Sequence, residues 1–585
     1  MAKDCKRNLG DDSSLTLIEM QILISFLLFI LTLDQNPASD SLLAISQTGI
    51  RKTVTDFGAV GDSLMDNTSA IQKVLDEASP GDTVFIPEGN FLIRTLSLRS
   101  GVHLVSEGIL AHHSSAKTGD YSIEKQNSPN PLLKGESVSD IYISIRAKSK
   151  NEAIYLDRSK QIRIVNSDFE GDSTKIRAYP GILAFQCSGL EIFSSRIHHF
   201  GSKRRETHSY QPGTGIRILS SNTISIRESE IFNNGENGIF LYGSRKAEVL
   251  NNTIHHNGMS AIQVAFGESG KENDYNFAGN VLDQNAADGI DINNRSPKKA
   301  KEIATTISYN LSCDNGFVNG KSTPDGSGFG TLINISGIIL YRNQAIRNNR
   351  PALYIESCGE ILSRENIADS QVEIVLELAD LRIESSQYSS INLMSNTRAE
   401  HILIKDSRLG SMSLPNDIQV EDFEVISNTF SHARLNVNME GNLTLKGNEM
   451  NNASEANVLL ISNATSALIQ DNHIESLNST AILINKSASN IRLIGNEIRS
   501  ASPGIFDRGS PDLLVQDNKI ELIPGGKENL TLKSNYPNGL NLQGNEHYGS
   551  EGKPTLVFVG KGKAKVHDRL VVGTADYAEV VVENQ

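Results

Sequence analysis

From residue 181 onward the chain repeats one short phrase. It reads Gly215-Ile216-Arg217-Ile218, then Gly238-Ile239-Phe240-Leu241, Ala261-Ile262-Gln263-Val264 and Gly289-Ile290-Asp291-Ile292. In each copy apolar and variable residues alternate, which is the period of a strand with one buried face. The copies begin 23, 23 and 28 residues apart. A second phrase recurs later as Asn428-x-Phe430, Asn448-x-Met450, Asn472-x-Ile474, Asn496-x-Ile498 and Asn518-x-Ile520, at steps of 20, 24, 24 and 22. Short strands and Asn/Gly corners at this period predict stacked β-coils, because one coil cannot bury its apolar face alone. The expected fold is therefore all-β, a single parallel β-helix solenoid. Ile216, Ile239, Ile262 and Ile290 should form one internal ladder.

If those isoleucines point inward, the residues after them point outward. The first outward column then reads Leu183, Arg217, Phe240, Gln263, Asp291, Tyr354 and Val375. Two residues further on it reads Phe185, Leu219, Tyr242, Ala265, Asn293, Glu356 and Glu377. Residues 295–350 interrupt the pattern, with Pro297-Lys298-Lys299 and Pro324-Asp325-Gly326 among them. Insertions in solenoids gather on one face and often frame a binding site.

The N-terminal third departs from the coil pattern. Lys3, Lys6 and Arg7 precede the apolar run Ile22–Leu33, and Pro37-Ala38-Ser39 follows. Residues 1–49 thus read as a signal peptide or membrane anchor plus linker. Residues 50–115 read Val54-Thr55-Asp56-Phe57-Gly58-Ala59-Val60-Gly61-Asp62, then Asp66-Asn67-Thr68-Ser69-Ala70-Ile71-Gln72, then Thr83-Val84-Phe85-Ile86-Pro87-Glu88-Gly89. Ala70, Ile71, Val74, Leu75 and Ala78 give one apolar helical face. This segment closely resembles the start of the pectate-lyase-like superfamily, a group that includes polygalacturonase-type hydrolases, polyuronide lyases and mannuronan C5-epimerases. The resemblance implies a right-handed parallel β-helix with an N-terminal α-helical cap over residues 50–115. Coils then run over 116–530, and a β-rich tail or cap occupies 531–585.

Composition narrows the partners. The net charge is −14, which gives no support to nucleic-acid binding. Hydrophobic residues make up 38% of the chain and Trp is absent, so the core should be Ile, Leu and Val ladders. Cys5, Cys187, Cys313 and Cys358 lack metal-site or disulfide spacing and read as buried thiols. No metal or cofactor is expected, with calcium left as an open option. Oligomeric state is left open, and membrane contact is expected only through the N-terminal anchor.

The outward columns mix arginine, aromatics, amides and carboxylates, a set that suits a sugar polymer. The sharpest cluster is Asp288-Gly289-Ile290-Asp291-Ile292-Asn293-Asn294-Arg295. In polygalacturonase-like hydrolases a similar phrase, Asn-Thr-Asp-Gly-x-Asp, carries a catalytic aspartate, and Asn285 to Asp291 come close to it. The paired Asp-Asp and the Arg-x-Lys of those enzymes have no counterpart. In mannuronan epimerases the related strand reads Tyr-Gly-Phe-Asp-Pro-His. Asp291 would match its aspartate, while Asp288 and Asn293 replace the tyrosine and histidine. The candidate catalytic residues are Asp288, Asp291 and His256. The candidate substrate contacts are Arg217, Phe240, Tyr242, Gln263, Asn293, Arg295, Tyr354 and Glu356. His198 and His199, His255 and His256, and the basic stretch Lys203, Arg204, Arg205 and His208 are further candidates.

Three functions follow. The first is a secreted, periplasmic or surface enzyme acting on a uronate-containing polysaccharide by C5-proton abstraction, as a lyase or C5-epimerase. The second is a glycoside hydrolase using Asp288 and Asp291. The third is a non-catalytic adhesive β-helix.

Overall fold

A computed structural model describes residues 49–585 except 123–126, 203–211, 268–269, 296–299, 416, 502, 525–529, 537–538, 550–554, 560–563, 572–578 and 584–585. The leader read in residues 1–49 falls almost wholly outside these residues. So does the basic stretch Lys203–His208. Among the described residues no helix is long and apolar enough to cross a membrane.

Each coil consists of three short strands that pair in parallel with the coils before and after. The first sheet stacks Ile154–Asp157, Ile182–Phe185, Ile216–Leu219, Ile239–Tyr242, Ile262–Ala265, Ile290–Asn293 and Gly330–Ile333. The second includes Ser188–Phe193, Asn222–Arg227, Arg245–Leu250 and Asn273–Ala278. The third includes Arg196–His198, Glu230–Phe232, Thr253–His255, Val281–Asp283 and Leu311–Cys313. Ile182, Ile216, Ile239, Ile262 and Ile290 are directly in register and wholly buried, so the anticipated internal ladder forms. A strand with one buried face reads as such an alternating run.

The corner between the second and third sheets explains the recurrent asparagine. Asn252 donates its backbone N–H and its side-chain amide to Asn280 Oδ1, at 2.9 and 3.0 Å, and gives a further bond to the Ile226 carbonyl. The same contact passes through Asn310, Asn343 and Asn366. Ser386 and Ser407 carry it on to Asn428, from which it runs through Asn448, Asn472, Asn496 and Asn518 to Asn545. A buried amide is tolerated only when its hydrogen bonds are complete, and here each neighbour completes the last. The left-handed residue at this corner is the one before the ladder. Asn251, Tyr309, Arg342 and Glu365 have φ of 56°, 56°, 52° and 54°.

Among the described residues there is one α-helix, Thr68–Glu77, which buries Ile71, Val74 and Leu75. Cys187, Cys313 and Cys358 are buried thiols outside any disulfide among the described residues. Burial pushes the Cys187 thiol up to about 11 and the Cys358 thiol up to about 12, which leaves both inert.

Two sequence expectations need correction. The interruption at 295–350 holds five coil strands, Lys301–Ser308, Leu311–Cys313, Gly330–Ile333, Ile335–Tyr341 and Gln344–Ile346. The true excursion is shorter, about residues 316–327, and carries the small hairpin Phe317–Val318 with Lys321–Ser322. The later register also shifts. Tyr354 pairs with Glu373 and Glu356 with Val375, so Glu373 and Val375 stand where Val375 and Glu377 were expected. At the C-terminal end, strands Leu540–Tyr548, Lys565–Val571 and Glu579–Glu583 continue the parallel pairing.

Candidate functional site

The first sheet turns one row of side chains outward, and by register that row reads Arg217, Phe240, Gln263, Asp291, Thr331, Tyr354, Glu373. Thr331 is the residue that sequence reading missed, because the excursion before it hides the phrase Gly330-Thr331-Leu332-Ile333. Over Gln263, Asp291 and Thr331 lies a cavity of about 370 Å³. Its wall brings together seven of the expected residues: Gln263, Asp288, Asp291, Asn293, Arg295, Tyr354 and Glu356. It adds Asp325, Ser327, Thr331 and Arg350, which were not anticipated.

Asp288 ends the corner that leads into strand Ile290–Asn293. Its Oδ1 accepts the backbone N–H groups of Gly326 and Ser327 at 3.0 and 2.7 Å. One carboxylate thus fixes the end of the excursion over the sheet. Gly326 suits this place because its φ is +119° and an added Cβ would lie 2.5 Å from the Gly316 Cα. Gly289 is required by proximity, since a Cβ there would lie 2.2 Å from the Gly328 carbonyl oxygen.

Asp291 was expected to face solvent at little cost. It faces outward but is only 6% exposed, because the excursion covers it. Its Oδ2 accepts a hydrogen bond of 2.7 Å from Gln263 Nε2. Gln263 Oε1 in turn accepts one of 2.9 Å from Asn237 Nδ2, and Asn237 Oδ1 accepts the Ser260 N–H. This chain fixes which way the Gln263 amide points. Asp291 Oδ1 is buried with no protein partner. Burial first, and then the charge of Asp288, hold the Asp291 carboxyl well above the usual carboxylate range. Asp288 is also raised by burial, but the Ser327 and Gly326 N–H groups oppose the shift. The neighbouring aspartates are thereby pushed apart. Burial thus favours the neutral form of Asp291 over its carboxylate.

Across the cavity the Tyr354 hydroxyl donates to Glu356 Oε2 at 2.6 Å. Burial and the neighbouring Glu356 raise the Tyr354 phenol far above its ordinary value, so it gives up its proton reluctantly. Exposed Arg295 and Arg350 supply positive charge at the edge.

The remaining candidates lie elsewhere. Arg217 and Phe240 are in the same row but outside the cavity wall. The Arg217 guanidinium packs 4.2 Å from the Phe240 ring and 5.5 Å from the Tyr121 ring, and pairs with buried Glu236 at 3.4 Å. Arg217 is thus a packed cation rather than an open substrate contact. Tyr242 stacks parallel to Phe240 at 6.5 Å and is exposed, in the second outward row and outside the cavity wall. His256 follows strand Thr253–His255 of the third sheet and is not on the cavity wall. Its separation from Asp291 follows from the three-sided coil, in which strands of different sheets face different ways.

A family model described as "Right handed beta helix region" matches residues 132–302 and 376–520. Among curated proteins, mannuronan C5-epimerase AlgE1 of Azotobacter vinelandii is 38% identical over 66 residues, covering 10% of this chain and 5% of that protein. AlgE2 of the same organism is 38% identical over 66 residues, 10% of this chain and 7% of that protein. The chain therefore spans only a small fraction of the curated relatives it matches. Among solved structures, an exopolygalacturonase from Thermotoga maritima is 12% identical with a TM-score of 0.35, covering 64% of this chain and 87% of that one. The adhesin PfbA of Streptococcus pneumoniae is 15% identical with a TM-score of 0.34, covering 66% and 93%. Gene product 12 of bacteriophage phi29 is 11% identical with a TM-score of 0.41, covering 91% and 73%.

Proposed function

The chain belongs to the right-handed β-helix family, and on that premise we propose that it hydrolyses glycosidic bonds of an acidic polysaccharide. One observation carries the reading: Asp291 is a buried carboxyl in the cavity wall, and burial and the neighbouring Asp288 both favour its protonated form. A neutral carboxylic acid at such a place is a proton donor for a leaving oxygen. Glu356 is the partner that activates water. It stands two coils on and two residues along the strand from Asp291, about 12 Å between backbone positions at the usual strand spacing and rise. A water molecule held between the two carboxyl groups would give inversion at the anomeric carbon. Asp288 is a positioning residue, since its Oδ1 holds the 326–327 backbone and its charge raises the Asp291 carboxyl. Arg295 and Arg350 hold the carboxylates of uronate units.

C5-proton abstraction is the second reading, favoured by the short match to mannuronan C5-epimerases. In that chemistry neutral Asp291 would bind and neutralise a uronate carboxylate. Its weakness is the base. Tyr354 has its proton held more tightly than usual, and His256 is not on the cavity wall.

The test is incubation of the purified chain with a panel of acidic and neutral polysaccharides. New reducing ends without absorbance near 235 nm support hydrolysis. Absorbance there assigns elimination, and inverted C5 stereochemistry without cleavage assigns epimerisation. No change in any polymer, with binding retained, assigns an adhesive role. A polysaccharide substrate also places the protein outside the cytoplasm, in keeping with the leader read in residues 1–49. An intact N-terminus on active protein isolated from the cytoplasm would oppose that placement.

A further inference from the structure

The first sheet carries a second cavity near its N-terminal end. Strand Leu133–Glu136 pairs with Ile154–Asp157, which pairs with Ile182–Phe185. By register their outward residues form two short rows, Lys134, Tyr155, Leu183 and Glu136, Asp157, Phe185. Residues 113–131 leave the coil beside this floor, and Gly119, Asp120 and Asn130 of that excursion meet Tyr155, Asp157 and Phe185 around a cavity of about 1100 Å³. From Tyr155 to Asp291 the register counts five strand steps, about 24 Å at the usual spacing.

This cavity is built as the Asp291 cavity is. Glu152 precedes Ile154 by two residues, as Asp288 precedes Ile290, and both isoleucines belong to the same ladder. Glu152 Oε1 accepts the Ser128 N–H at 2.8 Å, just as Asp288 accepts those of Gly326 and Ser327. Next to it, Asn151 Nδ2 donates to the carbonyls of Lys117 and Asn130 at 3.0 and 2.8 Å. From the following coil the Tyr179 hydroxyl donates to the Asp120 carbonyl at 3.1 Å, and the Arg177 guanidinium to the Tyr121 carbonyl at 3.2 Å. The excursion is thus fixed in place before any ligand arrives, which lowers the ordering cost of binding.

Its chemistry is different. Tyr155 stands where the other cavity has Asp291. Burial first, and then the Asp157 charge, push the Tyr155 phenol up to about 12, so its hydroxyl keeps its proton. Asp157 is 7% exposed; its Oδ2 lies 2.6 Å from the exposed Arg158 guanidinium, and its Oδ1 has no hydrogen-bond partner. Phe185 presents a half-buried ring and packs against the cluster of Tyr155, Leu183, Leu219 and Phe240. Among the described wall residues Lys134 is the one cation, and it pairs with Glu136 at 2.9 Å. Exposed Asp120 adds a second carboxylate to the wall.

We propose that this cavity is a second, non-catalytic glycan site that takes neutral pyranose units. A pyranose is apolar on its ring faces and carries hydroxyls around its edge. The Phe185 ring receives a face. The Tyr155 hydroxyl and the Asp157 carboxylate receive the edge, and a carboxylate acceptor forms the stronger, charge-assisted bond. A uronate would set its own charge against Asp157 and Asp120 with Lys134 already engaged, and like charges brought together cost affinity. The two cavities on one sheet therefore select different sugars: Arg295 and Arg350 suit acidic units, and the Tyr155 cavity suits neutral ones. The assignment stands whether or not Asp291 transfers a proton.

The test is isothermal titration calorimetry of the full chain carrying Asp291→Asn, so that turnover does not disturb the titration. The neutral probes are cellohexaose, mannohexaose, xylohexaose and β-1,4-galactohexaose, and the acidic probes are hexagalacturonate and hexamannuronate. At least one neutral probe should bind. Phe185→Ala should weaken it about tenfold or more, and Asp157→Asn about tenfold. Tyr155→Phe, which removes a single oxygen and preserves the packing, should weaken it in the same direction at an unaltered circular dichroism spectrum. Affinity for the acidic probes should not change in any of the three. Failure of every neutral probe to bind, neutral binding that survives all three substitutions, or acidic-probe binding that falls with Phe185→Ala or Asp157→Asn would each overturn the assignment.

Discussion

The row of outward residues that holds Asp291 does not stop at the cavity. It runs on through Glu373, Asn392, Ser413 and Asn436 to Leu460 and Leu483. Both stretches sit on the same inward ladder, and the same asparagine corner passes beneath both. Yet Asp291 is buried and pushed toward its neutral form, whereas Glu373, three coils further along, stays half-exposed. The scaffold cannot be the cause, because it is shared. What differs is the 316–327 excursion, pinned by Asp288, which removes water from one carboxylate and sets a second charge beside it. In this fold the ladder supplies rigidity and the excursion supplies the electrostatics.

The largest expected effect breaks the comparison at Asp291 itself. Asp291→Asn keeps the shape and the outward position but removes the transferable proton. It should lower kcat/KM on the best polysaccharide of the panel about 100-fold or more. Glu373→Gln, the same change in the same row, should leave kcat/KM within about twofold, since surface substitutions away from such features do little. Equal losses from both would mean that the excursion confers nothing special on Asp291.

The next effect attacks the excursion. Asp288→Ala strips two buried N–H groups of their acceptor, a defect of about 1–3 kcal/mol for each unsatisfied group. The loop should loosen, with backbone amides of Gly326 and Ser327 exchanging faster, and activity should fall about 10- to 100-fold. Unchanged exchange at those two amides would show that the loop is held by other contacts.

Asp288→Asn probes the charge without removing the acceptor. Asp291 acts as an acid only while protonated, so the alkaline limb of the activity profile should fall as pH rises through its elevated pKa. Removing the Asp288 charge takes away a cause that raises Asp291. The falling limb should therefore move to lower pH. A limb that stays in place would assign it to another group.

How far the sequence could be read follows the same division. Ile216, Ile239, Ile262 and Ile290 were legible because a strand with one buried face imposes strict alternation. Gln263, Asp291, Asn293, Tyr354 and Glu356 were legible because register copies that alternation from coil to coil. Thr331 was lost where the excursion breaks the period, and Glu373 where the spacing of the later coils changes. The burial of Asp291 could not be read at all. It arises from Gly326 and Ser327, more than thirty residues away, closing over a strand whose local pattern predicts a wet face. His256 was grouped with Asp291 because sequence spacing does not reveal which of three sheets a corner belongs to.

The smallest effect is on stability, and its sign is the informative part. An acid whose folded pKa lies above its unfolded value disfavours the folded state once pH exceeds the unfolded value, because the unfolded chain ionises first. For Asp291 that penalty is absent at pH values below the ordinary aspartate range and present at neutral and alkaline pH. Asp291→Asn replaces the neutral acid with an amide that never ionises. The Gln263 contact keeps an acceptor in the amide oxygen, so little else is lost. The variant should melt higher than the parent at pH 8, on the order of 1 °C for a chain of this length, and the difference should vanish near pH 3. Glu373→Gln should show no such pH-dependent difference. A variant of Asp291 that melts lower than the parent at pH 8 would mean that the carboxylate is ionised in the folded protein, and with it the proton donor proposed for the site would be gone.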